Sequence, residues 1–273
     1  MTSTPLIKLE NFYLKREDKN QTGSIKDRAI SLQIENLVGK GISAAVISST
    51  GNAAISALYY CSKSNIKLTI FLSPKINLSK LSLITEKTKN FIISDRPISG
   101  AFKYAKKTNS FLLRQSTDPI AQIGYQSVGL ELSKDIPDIT SIFMPVGSGT
   151  TLLGISKGLP KTVKIFAIQP ASHCPISQTF DPQYIKESHT ITDALSVKLL
   201  PLKSDILKTI TESGGGGMVV QNTTVVETQK FLLTNNIFTS PEGALALAGF
   251  LKAEKLGIKV GAYPVIILTG EQR

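Results

Sequence analysis

Residues 44–61 read AAVISSTGNAAISALYYC: a short apolar run, a polar turn and an alanine-rich stretch. The run 44–48 predicts a buried strand of a parallel sheet. Small and apolar residues then recur at helical spacing, which predicts a helix that can approach the sheet closely. They are Ala53, Ala54, Ala57, Leu58 and Cys61. Strand, turn and helix in this order are the repeating unit of an open α/β sheet, and they decide the fold class.

The same alternation predicts four strand and helix units over residues 42–132. Their further strands are predicted at 67–72, 91–93 and 110–113. A second series predicts strands at 142–146, 164–168 and 265–268, with helices at 224–233 and 241–256. We expect residues 175–217 to be irregular, because the four consecutive glycines at 214–217 favour a flexible segment.

The predicted architecture is an α/β fold with two open parallel-sheet domains. The first forty residues have no sheet of their own, and we expect them to join the second domain. The prediction is therefore a discontinuous large domain of residues 1–41 plus 133–273 and a small domain of residues 42–132. Because open α/β sheets bind ligands at the carboxyl ends of their strands, functional residues are expected in the loops there.

The charge of the chain first suggests an anionic partner. Its 273 residues contain 31 Lys and Arg against 20 Asp and Glu, a formal net charge of +11. Only 5 of the basic residues are Arg, there is no Trp, and no long basic run occurs. Nucleic-acid recognition favours Arg forks, so we expect no nucleic-acid partner. The excess charge suits the attraction of anionic metabolites.

The remaining composition points to a cytoplasmic protein without a metal site. No apolar run reaches the roughly 18 residues of a membrane-spanning helix, and the start lacks the layout of a signal peptide. Cys61 and Cys174 form no paired motif, which suggests a reducing compartment. His173 and His189 lie in no metal-ligand spacing.

Residues 15–28, KREDKNQTGSIKDR, contain the first candidate for chemistry. Lys26 stands at a predicted helix start, behind a turn made by Gly23. A lysine amine is able to bond covalently to a carbonyl carbon. Taken alone, the pattern fits a surface lysine in a charged helix start better.

Two loops that follow predicted strands could bind anions. Ser49, Thr50 and Gly51 offer backbone amides and hydroxyls suited to a carboxylate, and Asn52 offers an amide to a polar ring substituent. An ordinary capped turn explains this loop equally well. The second loop carries Gly147, Ser148, Gly149, Thr150 and Thr151 before a helix, a pattern suited to a phosphate. It is neither a Walker loop nor a GxGxxG motif. Thr269 follows the last strand, where a plain strand end is the simpler interpretation.

Together, these segments resemble the fold type II pyridoxal-phosphate (PLP) enzymes of the tryptophan synthase β family, and within it the threonine synthases most closely. The match runs in the same order over nearly the whole chain. The specific motifs are KRED with TGS and KDR at 15–28, STGN at 49–52, TITDALSVK at 190–198 and SPEGALALAGF at 240–250.

The resemblance implies a cofactor, PLP, in the cleft between the domains. Lys26 would hold it covalently and move protons, Asn52 would bind its ring hydroxyl, and Thr269 would face its pyridine nitrogen. The phosphate would be bound by Gly147, Ser148, Gly149, Thr150 and Thr151. The substrate carboxylate would be bound by Ser49, Thr50 and Gly51.

The implied activity is that of a lyase on a small amino acid, best matched by threonine synthase, in a homodimer. Two departures from that pattern leave alternatives. The loop GSGTT is more like that of cysteine synthases, and Ala121 stands where threonine synthases carry a substrate-phosphate Arg. Relatives also continue past Leu268-Thr269-Gly270, so we expect a compact or shortened member. A serine/threonine dehydratase, a cysteine synthase and a non-catalytic binder of PLP or an amino acid are the alternatives.

Overall fold

A computed structural model describes residues 3–49, 51–192, 194–195 and 200–273. The chain divides into two compact units. Unit 1 comprises the residues up to Asn20 together with Tyr125–Gln272, and unit 2 comprises Gln21–Gly124 with Arg273. Each unit has its own sheet flanked by helices, so the predicted α/β class is confirmed. No helix within the described ranges is long and apolar enough to cross a membrane.

Strands and α-helices alternate from residue 26 to residue 234, as a parallel α/β fold requires; two strands precede this part, and a further helix and strand follow it. The strands are β1 Leu6–Leu9, β2 Phe12–Lys15, β3 Ala44–Ser48, β4 Lys67–Leu72, β5 Phe91–Ile93, β6 Phe111–Leu113, β7 Ser141–Pro145, β8 Lys164–Pro170, β9 Gly216–Val220 and β10 Pro264–Ile267. The helices are α1 Lys26–Gly39, α2 Asn52–Lys63, α3 Leu78–Thr85, α4 Pro97–Thr108, α5 Pro119–Asp135, α6 Thr150–Lys157, α7 Lys203–Glu212, α8 Asn222–Thr234 and α9 Pro241–Lys255.

The sheet of unit 2 has the strand order β5-β4-β3-β6, and its pairings are all parallel. The small residues predicted on α2 are used as expected, since Ala54, Ala57 and Cys61 lie in the unit's apolar core. Helix α1 packs against α2. A glycine sets the approach of α5 to α1: a Cβ added at Gly124 would stand 2.2 Å from the carbonyl oxygen of Arg28.

The sheet of unit 1 has the order β1-β2-β10-β7-β8-β9. It is parallel except for the antiparallel edge pair of β1 and β2. Its core contains Phe12, Phe143, Phe166 and Phe250, with the rings of Phe143 and Phe166 stacked 4.4 Å apart. Helix α9 is buried over most of its length because it covers this sheet.

The boundaries between the two units lie at other residues than the predicted domain boundaries. Residues 21–41, which the sequence assigned to the large domain, belong to unit 2. The reason is local packing, because α1 contacts α2. The second changeover lies inside α5, at Gly124 and Tyr125, instead of after residue 132.

The prediction of an irregular segment over 175–217 is confirmed for the described residues 175–192, which have only turns and one short 3-10 helix, and it is wrong from residue 203 onward. The described part of this region contains α7, and the last two of its glycines begin the edge strand β9. These glycines permit close backbone approach rather than flexibility. A Cβ at Gly215 would stand 2.0 Å from the carbonyl oxygen of Ile165, and one at Gly217 would stand 2.7 Å from Cα of Ser177.

Candidate active site

In unit 2, two of the predicted site residues are the first residues of helices. Lys26 begins α1 and Asn52 begins α2, and both are half-buried. Gly23 precedes α1 with a φ of +72°, a left-handed conformation that suits glycine. Helix N-termini carry unpaired N–H groups and a positive end of the helix dipole, so both residues lie where an anionic ligand is favoured.

The carboxylate of Asp27, the residue after Lys26, ties this region together. Its Oδ2 accepts from the Thr22 backbone N–H at 2.6 Å, and its Oδ1 accepts from the Thr22 hydroxyl at 2.5 Å and the Ser56 hydroxyl at 2.6 Å. Asp27 is fully buried. Because Ser56 lies one turn beyond Asn52 on α2, these bonds fix the start of α1 against α2. No motif in the sequence reveals this role.

Two nearby side chains on α2 show the effect of burial in unit 2. Burial, followed by the negative charge of Asp27, raises the pKa of Tyr60. Burial raises the pKa of the Cys61 thiol to about 12. Cys61 is therefore a protonated core residue at neutral pH, which agrees with its predicted place on an apolar helix face.

The proposed carboxylate loop lies between β3 and α2. The Ser49 hydroxyl accepts from the Gly51 N–H at 3.3 Å, and Thr50 lies outside the described residues. Lys80, on α3, is a residue that sequence reasoning missed. Its side chain is buried, and its Nζ lies 3.9 Å from the position that a Cβ on Gly51 would take. A positive charge therefore lies beside this loop.

Asn52 has a partner that no motif predicts. The Arg273 Nη1 donates to the Oδ1 of Asn52 at 2.9 Å, and its Nη2 donates to the carbonyl oxygen of Thr22. One guanidinium group therefore joins the start of α2 to the turn that precedes α1.

In unit 1, the predicted phosphate loop joins β7 to α6. Gly149 has a φ of +82° and is the N-cap of α6, and a Cβ there would stand 2.0 Å from Cδ1 of Ile206. The hydroxyls of Ser148 and Thr150 lie 3.2 Å apart. Gly147 and Thr151 are half-buried on either side. Hydroxyls, a tight glycine turn and a helix N-terminus are the groups that bind phosphate in proteins.

Gln169, near the end of β8, is hydrogen-bonded to the residue that precedes this loop. The sequence analysis did not predict its role. Its Nε2 donates to the carbonyl oxygen of Val146 at 2.9 Å, while its Oε1 accepts from the N–H groups of Ile176 and Ser177. Only 1% of the residue is exposed. A buried amide with three satisfied bonds holds the loop in one conformation.

Thr269 follows β10, the neighbour of β7 in the sheet. The predicted phosphate loop and Thr269 therefore follow the carboxyl ends of two adjacent parallel strands. Backbone hydrogen bonds hold the residues on both sides of Thr269. The Leu268 N–H donates to the carbonyl oxygen of Lys15 at 3.0 Å, and the Ser240 N–H donates to the carbonyl oxygen of Gly270 at 2.8 Å.

The KRED segment provides much of this support. The Asp18 N–H donates to the carbonyl oxygen of Leu268 at 2.9 Å, and the Asp18 carboxylate is bound by Arg16 through Nε and Nη2. Lys15 is fully buried and pairs with Glu131 at 2.7 Å. These charged residues are structural: they fix the strand that carries Thr269.

Comparison with known proteins decides the family. A model described as pyridoxal-phosphate dependent enzyme matches residues 1–270. The chain belongs to this family. The resemblance to fold type II PLP enzymes is thus confirmed, and PLP is the cofactor of the family.

Individual relatives of this PLP-dependent enzyme differ in activity. Threonine synthase of Methanocaldococcus jannaschii is 27% identical over 277 residues, which cover 92% of this chain and 67% of the relative. L-threonine ammonia-lyase of Thermotoga maritima is 25% identical over 273 residues, which cover 94% and 66%. The chain thus spans about two thirds of the length of both. The structure of maize serine racemase has a TM-score of 0.88 at 21% identity over 100% of this chain and 89% of that chain, a likeness of fold alone.

Each unit, taken by itself, contains residues whose chemistry fits PLP. Gly149 provides a left-handed turn in which a side chain would collide with Ile206, and the donors around it suit the phosphate dianion. Lys26 has a primary amine and Asn52 has a side-chain amide, each at a helix start. Thr269 supplies a neutral hydroxyl.

We expect Gly149→Ala to weaken PLP binding by about tenfold. An alanine at a φ of +82° costs about 1–2 kcal/mol in the present loop conformation, so the loop would move and misplace its donors. Equilibrium dialysis against PLP measures the effect. Gly257→Ala is the matched control, because Gly257 has a φ of +69° with nothing within 4 Å of an added Cβ. Equal weakening in both variants would contradict a specific role for the loop.

Proposed function

We propose that this protein is a PLP-dependent lyase acting on a small amino acid, with threonine synthase as the favoured activity. That reaction converts O-phospho-L-homoserine and water into L-threonine and inorganic phosphate. The observation that carries the proposal is the arrangement in unit 2. A lysine and an asparagine begin two packed helices, and the buried carboxylate of Asp27 links those helices.

Lys26 has the central role in this proposal. Its amine would hold the cofactor in the resting enzyme. Once the substrate's own amine had displaced it, the free Nζ would take the proton from Cα of the amino acid and return protons to the carbon chain. The bonds of Asp27 to Thr22 and Ser56 keep the start of α1 in place while this happens. When bound, PLP supplies an electron sink for the carbanion chemistry.

The other predicted residues orient the reactants. Ser49, Thr50 and Gly51 bind the substrate carboxylate, and Lys80 adds a positive charge beside Gly51. Asn52 binds the ring oxygen of the cofactor. The loop of Gly147, Ser148, Gly149, Thr150 and Thr151 binds its phosphate.

Thr269 bears on the reaction type. A neutral hydroxyl facing the pyridine nitrogen does not force that nitrogen to be protonated, unlike a carboxylate. Such electronics favour elimination and replacement at Cβ or Cγ over transamination. This preference is common to threonine synthases, dehydratases and cysteine synthases.

A second activity, that of a serine/threonine dehydratase, is favoured by Ala121. This residue is fully buried on α5. By the resemblance to threonine synthases, it takes the place of the Arg that binds the substrate phosphate. A substrate without a phosphate needs no cation at that place. If the substrate does carry a phosphate, Lys80 is the candidate cation in unit 2 that would bind it.

The cofactor is tested first. The purified protein supplied with PLP should develop a visible absorption band that borohydride removes, leaving one modified peptide that contains Lys26. A folded protein with no band, or an adduct on another lysine, would overturn the proposal.

A substrate panel then separates the activities. O-phospho-L-homoserine should yield phosphate and threonine in equal amounts. Release of a 2-oxo acid from L-threonine or L-serine would instead identify a dehydratase, and sulfide-dependent formation of cysteine would identify a cysteine synthase. Binding of PLP without any product would identify a non-catalytic member.

Two further expectations belong to this proposal. Enzymes of this family are typically oligomeric, and we propose a homodimer. Light scattering after size-exclusion chromatography measures the mass. We also propose a cytoplasmic location, in keeping with its biosynthetic relatives and its unpaired cysteines.

A further inference from the structure

We propose that Arg273 is a positioning residue for the cofactor. Its guanidinium fixes the side-chain amide of Asn52 so that the amide nitrogen faces the ring oxygen of PLP. The inference rests on the proposed function and gives a role to a residue that no motif indicates.

The contacts of Arg273 hold one planar group at two points. Nη1 donates to Oδ1 of Asn52 at 2.9 Å, and Nη2 donates to the carbonyl oxygen of Thr22. Two donors on one rigid guanidinium, bound to two acceptors, define its orientation. Thr22 is itself held by the buried carboxylate of Asp27 through its N–H and its hydroxyl. Asn52 is therefore fixed relative to the start of α1, where Lys26 lies.

The chemistry of the amide makes this contact directional. A side-chain amide accepts hydrogen bonds at its oxygen and donates them from its nitrogen, whereas a guanidinium only donates. Arg273 therefore bonds to Oδ1 and leaves Nδ2 as the group available to a ligand. No hydrogen bond joins Nδ2 of Asn52 to another described residue. An ionised ring oxygen is an acceptor, so it requires the donor end of the amide.

Without Arg273, the side-chain amide of Asn52 would be free to rotate and would become ordered only when PLP binds. Ordering one side chain on binding weakens affinity by about three- to tenfold. The opposite sign is expected if the guanidinium instead occupies the place of the ring, because its removal would then tighten PLP binding. The direction of the change therefore distinguishes positioning from competition.

The experiment measures PLP dissociation constants by equilibrium dialysis. It compares the unsubstituted protein with Arg273→Met, Asn52→Ala and the double variant. Arg96→Met is the control, since Arg96 is exposed in the same unit. We expect Arg273→Met to bind PLP about three- to tenfold more weakly. Because Arg273 acts through Asn52, the double variant should bind no more weakly than Asn52→Ala alone. Arg273→Gln, which keeps an N–H donor, should recover part of the loss.

A spectroscopic measurement excludes a merely structural role. The absorption maximum of the PLP-loaded protein should shift in Arg273→Met in the same direction as in Asn52→Ala, and thermal unfolding of the PLP-free protein should be unchanged. Unchanged or tighter PLP binding in Arg273→Met would overturn the inference, as would additive losses in the double variant. If the wild-type protein itself fails to bind PLP, the proposed function fails instead.

Discussion

Replacing Lys26 by alanine should lower turnover by about 10³-fold or more and abolish the borohydride-stable adduct. The amine is the only group on α1 that both bonds to the cofactor and moves protons in the proposed function, and general acid–base roles alone contribute about 10²- to 10⁴-fold. Lys26 is half-buried at a helix start, outside the apolar core, so the fold should persist. Turnover is measured as phosphate release or 2-oxo acid formation, with circular dichroism to verify folding.

Two variants separate the chemistry of the amine from its charge. Lys26→Arg keeps a positive charge at the helix start, but its guanidinium is a poor nucleophile, so it should be as inactive as the alanine variant. Lys40→Ala changes an exposed lysine at the opposite end of α1 and should be fully active. Normal turnover in Lys26→Ala would refute the assignment of Lys26.

Much of the fold follows from local pattern. The strand and helix predicted within 44–61 are β3 and α2, because alternation of apolar runs and small-residue helix faces is set by neighbours in sequence. The positions of Lys26 and Asn52 at helix starts and of Gly149 at a helix N-cap follow from the same local rules.

Other features depend on contacts that are distant in sequence. In the sequence, the glycines before Met218 resemble a flexible linker. In the structure, the carbonyl oxygen of Ile165 lies so close to Gly215 that a side chain there is excluded. Residues 21–41 fall in unit 2 because α1 packs on α2, which its own periodicity does not reveal. Within the site, Gln169 bonds across to Val146 and Arg273 bonds to Asn52, partners separated by 23 and 221 residues. Such partners have no local signature.

Asp27 is the clearest case of a residue whose role no sequence motif indicates. Its replacement should cause the largest loss in the free energy of unfolding. In Asp27→Ala, the Thr22 N–H, the Thr22 hydroxyl and the Ser56 hydroxyl all lose their acceptor inside the protein. Breaking a buried charged network of this kind costs about 3–5 kcal/mol. Urea unfolding measures the loss, and Asp95→Ala, at an exposed position of the same unit, should leave the midpoint unchanged.

The asparagine variant tests whether hydrogen bonding or charge is decisive. In Asp27→Asn, the amide oxygen is able to accept from the Thr22 N–H while the amide nitrogen donates to the hydroxyls, which rotate to accept. The expected loss is therefore about 1–2 kcal/mol, well below that of alanine. Ser56→Ala removes one donor and should cost a similar amount, and adding it to Asp27→Ala should cost little more because the bond is already lost. If Asp27→Ala unfolds at the wild-type midpoint, or if the two substitutions are fully additive, Asp27 does not link α1 to α2 as the distances indicate.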